Sequence, residues 1–311
     1  MNTIKSANFK TTPALVVPPL TPFDSSLKVD RAALATHIDY VVEGCRATMV
    51  VAAGVETQEY HYLPFEERKA LVRATVEAVD ARVPVVVGIS HPSIRSAVEL
   101  GQLASSLGAH AIQLLAPLRP FGGAPSTAEV VRYFELIARE TELPIMLYLN
   151  PGPGADLGPE ATVELAKLER VKYVKESSRD LARVGRLIEQ IDRAGHAQYL
   201  TTSQMLLITL QLGGSGATMP PPLAELGAKI IAAFDAGNAA EAARLQQQFS
   251  LFPARWMHRG LMPTMKAALH ALGRGIGEPY PPFGTLTDDE AAQIATYLQS
   301  TDLSHVTENH A

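Results

Sequence analysis

The stretch "VKYVKESSRD" (171–180) places a lysine where an ammonium group is costly. Val171, Tyr173 and Val174 are strand formers, and Lys175 follows them directly. An apolar, β-branched run of this kind reads as a buried strand. An amine lodged among apolar groups has its charged form disfavoured, and a neutral amine condenses with a carbonyl to form a Schiff base. The protonated imine then withdraws electrons and stabilises a carbanion on the neighbouring carbon. Aldol cleavage, aldol addition and some dehydrations need that stabilisation. Tyr148, in "PIMLYLN" (144–150), supplies a hydroxyl that can relay the protons of imine formation. Thr57 and Glu59 stand in "GVETQEYHYL" (54–63), just past another strand-like run. Each residue also has a plainer reading. Lys175 can snorkel or pair with the adjacent Glu176, Tyr148 can be a half-buried core tyrosine, and Thr57 can be a loop or capping hydroxyl.

The elements that would position these residues repeat along the chain. Candidate strands are "ALVVPPL" (14–20), "TMVVAAG" (48–54), "VPVVVGIS" (83–90), "AIQLLAP" (111–117), "PIMLYLN" (144–150), "VKYVKES" (171–177), "AQYLTTS" (197–203) and "GATMPPP" (216–222). Each is followed by a segment whose apolar residues recur by three and four, often ending at Gly. Strands apolar on both faces and alternating with helices predict a parallel sheet. Eight such units predict an α/β chain folded as a (β/α)8 TIM barrel. The first strand leads into "PPLTPFD", which cannot cradle a pyrophosphate as a Gly-rich loop does, so an open nucleotide-binding sheet is disfavoured. The expected organisation is a tail at 1–13, the barrel at 14–237 and a C-terminal helical region at 238–311. Helices are expected there over "AAEAARLQQQFSLFPARW", "MPTMKAALHALG" and "DDEAAQIATYLQS". In a barrel the strand C-termini form the active mouth, which brings Lys175, Tyr148, Thr57 and Glu59 together.

Composition narrows the classes. The chain has 311 residues, 47% of them hydrophobic, and a net charge of -5 with no basic run, which argues against nucleic-acid binding. Its one cysteine, Cys45, excludes an intrachain disulfide or a Cys-cluster metal site and fits a cytoplasmic compartment. The N-terminal segment lacks the apolar stretch of a secretory signal, and no apolar run is long enough for a membrane span. His61 and His91 are mouth-side but do not form a spaced ligand set, so no metal is expected.

These motifs, in this order, resemble the dihydrodipicolinate synthase and N-acetylneuraminate lyase superfamily of class I aldolases. "PPLTPFD" is similar to the family's opening "TPF" segment, "QEYHYLPFEERKALV" to its "GE…L…EER" stretch, and "MLYLNP" to its "YN.P" motif. "KESSRD" resembles the segment that begins with the Schiff-base lysine, "LGGSGA" the "LG..G" before strand eight, and "MPTMKAALHALG" the late "VK.AL...G" helix. The resemblance implies Lys175 as the imine-forming residue, Tyr148 as proton relay, Thr57 as a ligand of the 2-oxo acid's carboxylate, and Glu59 as its support. It implies no cofactor, and a homo-oligomer, dimer or tetramer.

The departures bear on the substrate. The family's "GTTGE" loop reads "VETQE" here, so Glu56 and Gln58 replace a hydroxyl and a glycine and should reshape the carboxylate pocket. The arginine that the synthase carries after its relay tyrosine is missing from "NPGPGAD", and its second relay tyrosine is missing from "APLRPFGGAPS". Arg119 is a replacement cation or else a solvated arginine, and so is Arg179; Thr218, in the last strand, is a further substrate-binding candidate. The expected function is a Schiff-base lyase or aldolase acting on a pyruvate-type 2-oxo acid. The alternatives are an imine-based dehydratase of a 2-keto-3-deoxy sugar acid, 4-hydroxy-tetrahydrodipicolinate synthase, and a non-catalytic 2-oxo-acid-binding barrel.

Overall fold

The computed structural model describes residues 14–57, 59–115, 125–150 and 157–306. Eight parallel strands close a barrel in sequence order: β1 (Ala14–Val17), β2 (Met49–Ala52), β3 (Val85–Gly88), β4 (Ala111–Leu115), β5 (Ile145–Leu149), β6 (Val171–Glu176), β7 (Gln198–Thr201) and β8 (Gly216–Thr218). The outer helices are α1 (Arg31–Asp39), α2 (Phe65–Val79), α3 (Ile94–Ser106), α4 (Thr127–Glu140), α5 (Pro159–Ala166), α6 (Leu181–Leu187), α7 (Leu206–Gln211) and α8 (Leu223–Asp235). Helices α9 (Ala239–Gln247), α10 (Leu261–Ala271) and α11 (Asp288–Gln299) follow. The barrel expected from the alternation is the observed fold, with the additional helices at its C-terminal end.

Each expected strand is present but shorter. Pro18 and Pro19 lie directly beyond β1, and Pro220 to Pro222 lie just beyond β8, where a missing N–H cannot serve the ladder. The barrel interior is filled by Val16, Met49, Val51, Val86, Ala111, Met146 and Leu200, all with no solvent exposure. Side chains alternate across a strand, so residues two positions on from Ala111, Met146 and Tyr173 share that inward face nearer the mouth. Those residues are Gln113, Tyr148 and Lys175. Gly88 marks a close approach on the same face, because a Cβ there would meet the Ala53 carbonyl oxygen at 2.1 Å.

The late helices differ from expectation in one place. The pattern over residues 239–256 suggests one helix, yet α9 stops at Gln247 and a short 3-10 turn occupies Ala254–Arg259. Pro253 cannot continue the ladder, and Phe249, Phe252 and Trp256 turn inward instead. They join the same apolar cluster as Leu15, Val17 and Leu20 of the barrel, as do Met265, Leu269, Ile294 and Leu298.

Candidate active site

The lysine stretch folds as its residues dictate. Val174 faces the outer core while Tyr173 and Lys175 face the barrel interior, and a register irregularity against β5 at Ile145/Met146 puts Val171 with the outer core as well. Beyond the strand, Ser178 Oγ accepts the Asp180 N–H at 3.1 Å, and Asp180 caps α6 by accepting the Ala182 and Arg183 N–H groups. The turn is thereby fixed, and with it the end of β6. Lys175 pairs in register with Tyr148 on β5 and is 2% exposed.

Three groups surround the Lys175 amine. Its Nζ donates to Ser177 Oγ at 2.6 Å, and Ser177 Oγ also lies 3.3 Å from the Tyr148 hydroxyl. The Tyr148 ring lies under the ammonium, 3.8 Å from Nζ to the centroid, a cation–π contact. Glu56 Oε1 is 3.8 Å from Nζ, and the Glu56 side chain is only 5% exposed. The plainer pairing of Lys175 with Glu176 is absent. Glu176 faces the outer side of β6, fully buried, where Arg183 Nε and the Tyr199 hydroxyl donate to it.

Gln113 fixes Glu56. The Val55 N–H donates to Gln113 Oε1 at 3.0 Å, which turns the amide nitrogen toward Glu56, and Gln113 Nε2 donates to Glu56 Oε1 at 3.0 Å. Glu56 Oε2 is buried and has no hydrogen-bond partner among the described residues. Thr57 is buried and donates through Oγ1 to the Gly54 carbonyl at 3.1 Å. Thr218 Oγ1, which lines the cavity at the strand ends, is buried with no hydrogen-bond partner among the described residues.

Glu59 stands one layer out. It is 1% exposed, accepts the Thr21 N–H at 2.6 Å and faces Lys266 Nζ of α10 at 3.0 Å. Burial pushes its carboxyl above the usual range, and the Lys266 charge opposes that. Glu59 therefore braces the mouth loop.

The cavity at the strand ends measures about 670 Å³. Tyr148, Lys175, Glu56, Thr57, Glu59 and Thr218 all line it. Arg179 also lines it, although exposed, with Nε donating to Gln204 Oε1 at 3.3 Å. Tyr62 stacks on Tyr280 with ring centroids 5.0 Å apart and, together with Phe283, forms an aromatic outer wall. His61 lies against Tyr60, and His91 accepts the Ser93 N–H; among the described residues no group of three His, Cys, Asp or Glu side chains is arranged to hold a metal. Arg119 and Gln58 lie outside the described residues. Sequence reasoning missed Ser177, Gln113 and the aromatic wall. No sequence signal marks the first two, because both faces of these strands are apolar and the inward parity is not legible.

The Dihydrodipicolinate synthetase family model matches residues 12–301, almost the whole chain. The 4-hydroxy-tetrahydrodipicolinate synthase of Bacillus subtilis is 31% identical over 283 residues, covering 90% of this chain and 96% of that one. YagE of Escherichia coli K12, named provisionally as a 2-dehydro-3-deoxy-D-gluconate aldolase, is 28% identical and covers 93% of this chain and 97% of its own. The crystal structure of YagE in complex with pyruvate superposes with a TM-score of 0.85 over 96% of this chain and 100% of that one, at 28% identity. The chain belongs to the dihydrodipicolinate synthase and N-acetylneuraminate lyase superfamily of class I, Schiff-base aldolases, as a divergent member.

Proposed function

We propose that this protein is a class I lyase or aldolase that joins a pyruvate-type 2-oxo acid to Lys175 as an imine and makes or breaks a carbon–carbon bond at the neighbouring carbon. The observation that carries the reading is the placement of Lys175, buried at the end of β6, with Ser177 Oγ between its amine and the Tyr148 hydroxyl. Attack of the amine on the keto carbon gives a carbinolamine. Loss of water from it requires a proton delivered to the departing hydroxyl, and the Tyr148 hydroxyl is the group within reach of that path. The substrate carboxylate takes the Thr218 hydroxyl, and the Thr57 hydroxyl once that turns away from the Gly54 carbonyl to which it donates. Thr218 Oγ1, buried with no partner among the described residues, is the donor that such a ligand would satisfy.

Incubation with pyruvate and borohydride tests this reading. The wild type should gain the mass of a reduced adduct, and Lys175→Ala should not, with the fold kept. Trapping by Lys175→Ala, or none by the wild type, would show the lysine to be structural.

The names of the relatives favour the synthase alternative over an open choice of acceptor. The residues after Tyr148 favour it less. "NPGPGAD" carries no arginine, and a bidentate carboxylate clamp has no geometric substitute in lysine. A kcat/KM above about 10⁴ M⁻¹s⁻¹ with aspartate semialdehyde would decide for the synthase. We further propose a closed homo-oligomer in the cytoplasm, for which light scattering should give a mass above the 33.4 kDa of one chain. We likewise propose that the helical region beyond residue 237 is an appendage of the barrel. Among the described residues no helix is long and apolar enough to cross a membrane.

A further inference from the structure

We propose that Glu56 is a catalytic base that removes the C3 proton of the 2-oxo acid once it is bound as the Lys175 imine. The inference rests on the Schiff-base reading of Lys175 and adds a step to it. Three observations carry it.

The first is reach. C3 of an imine lies two bonds, about 2.5 Å, from the imine nitrogen. Glu56 Oε1 lies 3.8 Å from the nitrogen that becomes that imine. C3 can therefore be oriented within the ~3–3.5 Å at which a proton passes between held groups. The second is rigidity. Gln113, itself fully buried and pinned by the Val55 N–H, donates to Glu56 Oε1, so the carboxylate is held facing the lysine rather than solvent. The third is unused capacity. Glu56 Oε2 is buried with no hydrogen-bond partner among the described residues, while the Tyr148 hydroxyl is engaged with Ser177. The site thus holds two separate proton carriers, Tyr148 on the Ser177 side of the amine and Glu56 on the Gln113 side.

A structural carboxylate does not account for this placement. Glu56 stands where the resembling family has a small hydroxyl, and a second negative charge beside the amine repels a substrate carboxylate placed there. The carboxylate of the 2-oxo acid is therefore directed to Thr57 and Thr218, which leaves C3 facing Glu56. The step balances. Starting from the protonated imine, the C3–H bond breaks, its electron pair forms the C2–C3 double bond, the C=N π pair returns to the positively charged nitrogen, and the proton resides on the Glu56 carboxylate. The products are a neutral enamine and a carboxylic acid that can return the proton to C3. No oxidant or cofactor is involved.

The experiment follows the methyl protons of pyruvate by NMR in D₂O with the full chain, and measures borohydride trapping by mass in parallel. The wild type should trap pyruvate and exchange its methyl protons. Glu56→Gln should still trap, but its exchange should fall by about 10²–10⁴-fold, the usual worth of a positioned base. Glu56→Ala should show the same loss, with exchange partly restored by added formate and not by chloride. Exchange by Glu56→Gln at the wild-type rate would overturn the proposal. So would a wild type that traps but does not exchange, or a Glu56→Ala variant that traps but that formate does not rescue. A wild type that does not trap would remove the imine reading itself, a distinguishable failure that takes this step with it.

Discussion

Ser177 Oγ is the common partner of the Lys175 amine and the Tyr148 hydroxyl, so the two catalytic candidates communicate through a third residue. Tyr148 has two separable parts. Its ring underlies the ammonium, and its hydroxyl meets Ser177. Tyr148→Phe keeps the ring and removes only the hydroxyl. Turnover and the rate of borohydride trapping should both slow by about 10²–10⁴-fold, while the adduct still forms on long incubation. An adduct that never forms, however long the incubation, would mean that the hydroxyl is needed to place Lys175 rather than to move protons. Lys175, Tyr148, Thr57 and Glu59 could be picked out of the sequence because a charged or polar group beside an apolar run is conspicuous. Gln113 and Ser177 could not. Both faces of a parallel strand are apolar, so alternation alone does not tell which residues point inward. Only the closed barrel, with Tyr173 and Ala111 inside it, fixes the parity that brings Gln113 to Glu56.

The strands and helices were the most legible level, and His37 on α1 shows what periodicity leaves out. It is 3% exposed, and its Nε2 accepts the Leu20 N–H at 3.2 Å, just beyond β1. Burial, with a smaller contribution from the Lys266 charge, holds its pKa down to about 3. The unfolded chain takes up that proton near pH 6.5, and the folded chain does not until far lower. Stability should therefore be full above about pH 6.5 and decline as pH falls toward 3, with a slope of up to about 1.4 kcal/mol per pH unit. Between pH 7 and pH 5 this amounts to about 2 kcal/mol from His37 alone. His37→Gln retains an acceptor for Leu20 and does not titrate, so its urea midpoint should change less over that interval. Equal changes in both proteins would remove the account. Such a residue reads in the sequence as one more position on a helix, because its partner is a backbone group from a distant turn. The overlong reading of α9 has a similar origin. Apolar spacing continues through Phe249, Phe252 and Trp256, but α9 ends at Gln247, Pro253 prevents a helix from running on to Trp256, and a different backbone buries the same side chains.

Across the whole molecule, a shared apolar cluster and a buried ion pair are among the contacts that hold the late helices to the barrel. Lys266 of α10 is 3% exposed. It faces Glu59 at 3.0 Å and donates to the Thr21 carbonyl at 2.8 Å and the Glu278 carbonyl at 3.0 Å. Three parts of the chain, from the end of β1, the mouth loop and the C-terminal region, therefore meet at one ammonium. The motif "MPTMKAALHALG" gave the helix and its lysine, but nothing in sequence spacing could connect position 266 to position 59. The desolvation of two charges cancels much of their attraction, whereas removing one partner leaves the other buried and uncompensated. Lys266→Met should cost about 3–5 kcal/mol, read as a lowered urea midpoint with the slope unchanged. The double variant Lys266→Met with Glu59→Gln should recover part of that loss, because the stranded carboxylate is gone. It should not recover all of it, since the two carbonyls still lack their donor. If the double variant is as unstable as Lys266→Met, the loss comes from the carbonyl contacts and not from the ion pair. A small loss in Lys266→Met alone would mean that the barrel and its late helices do not depend on this ammonium.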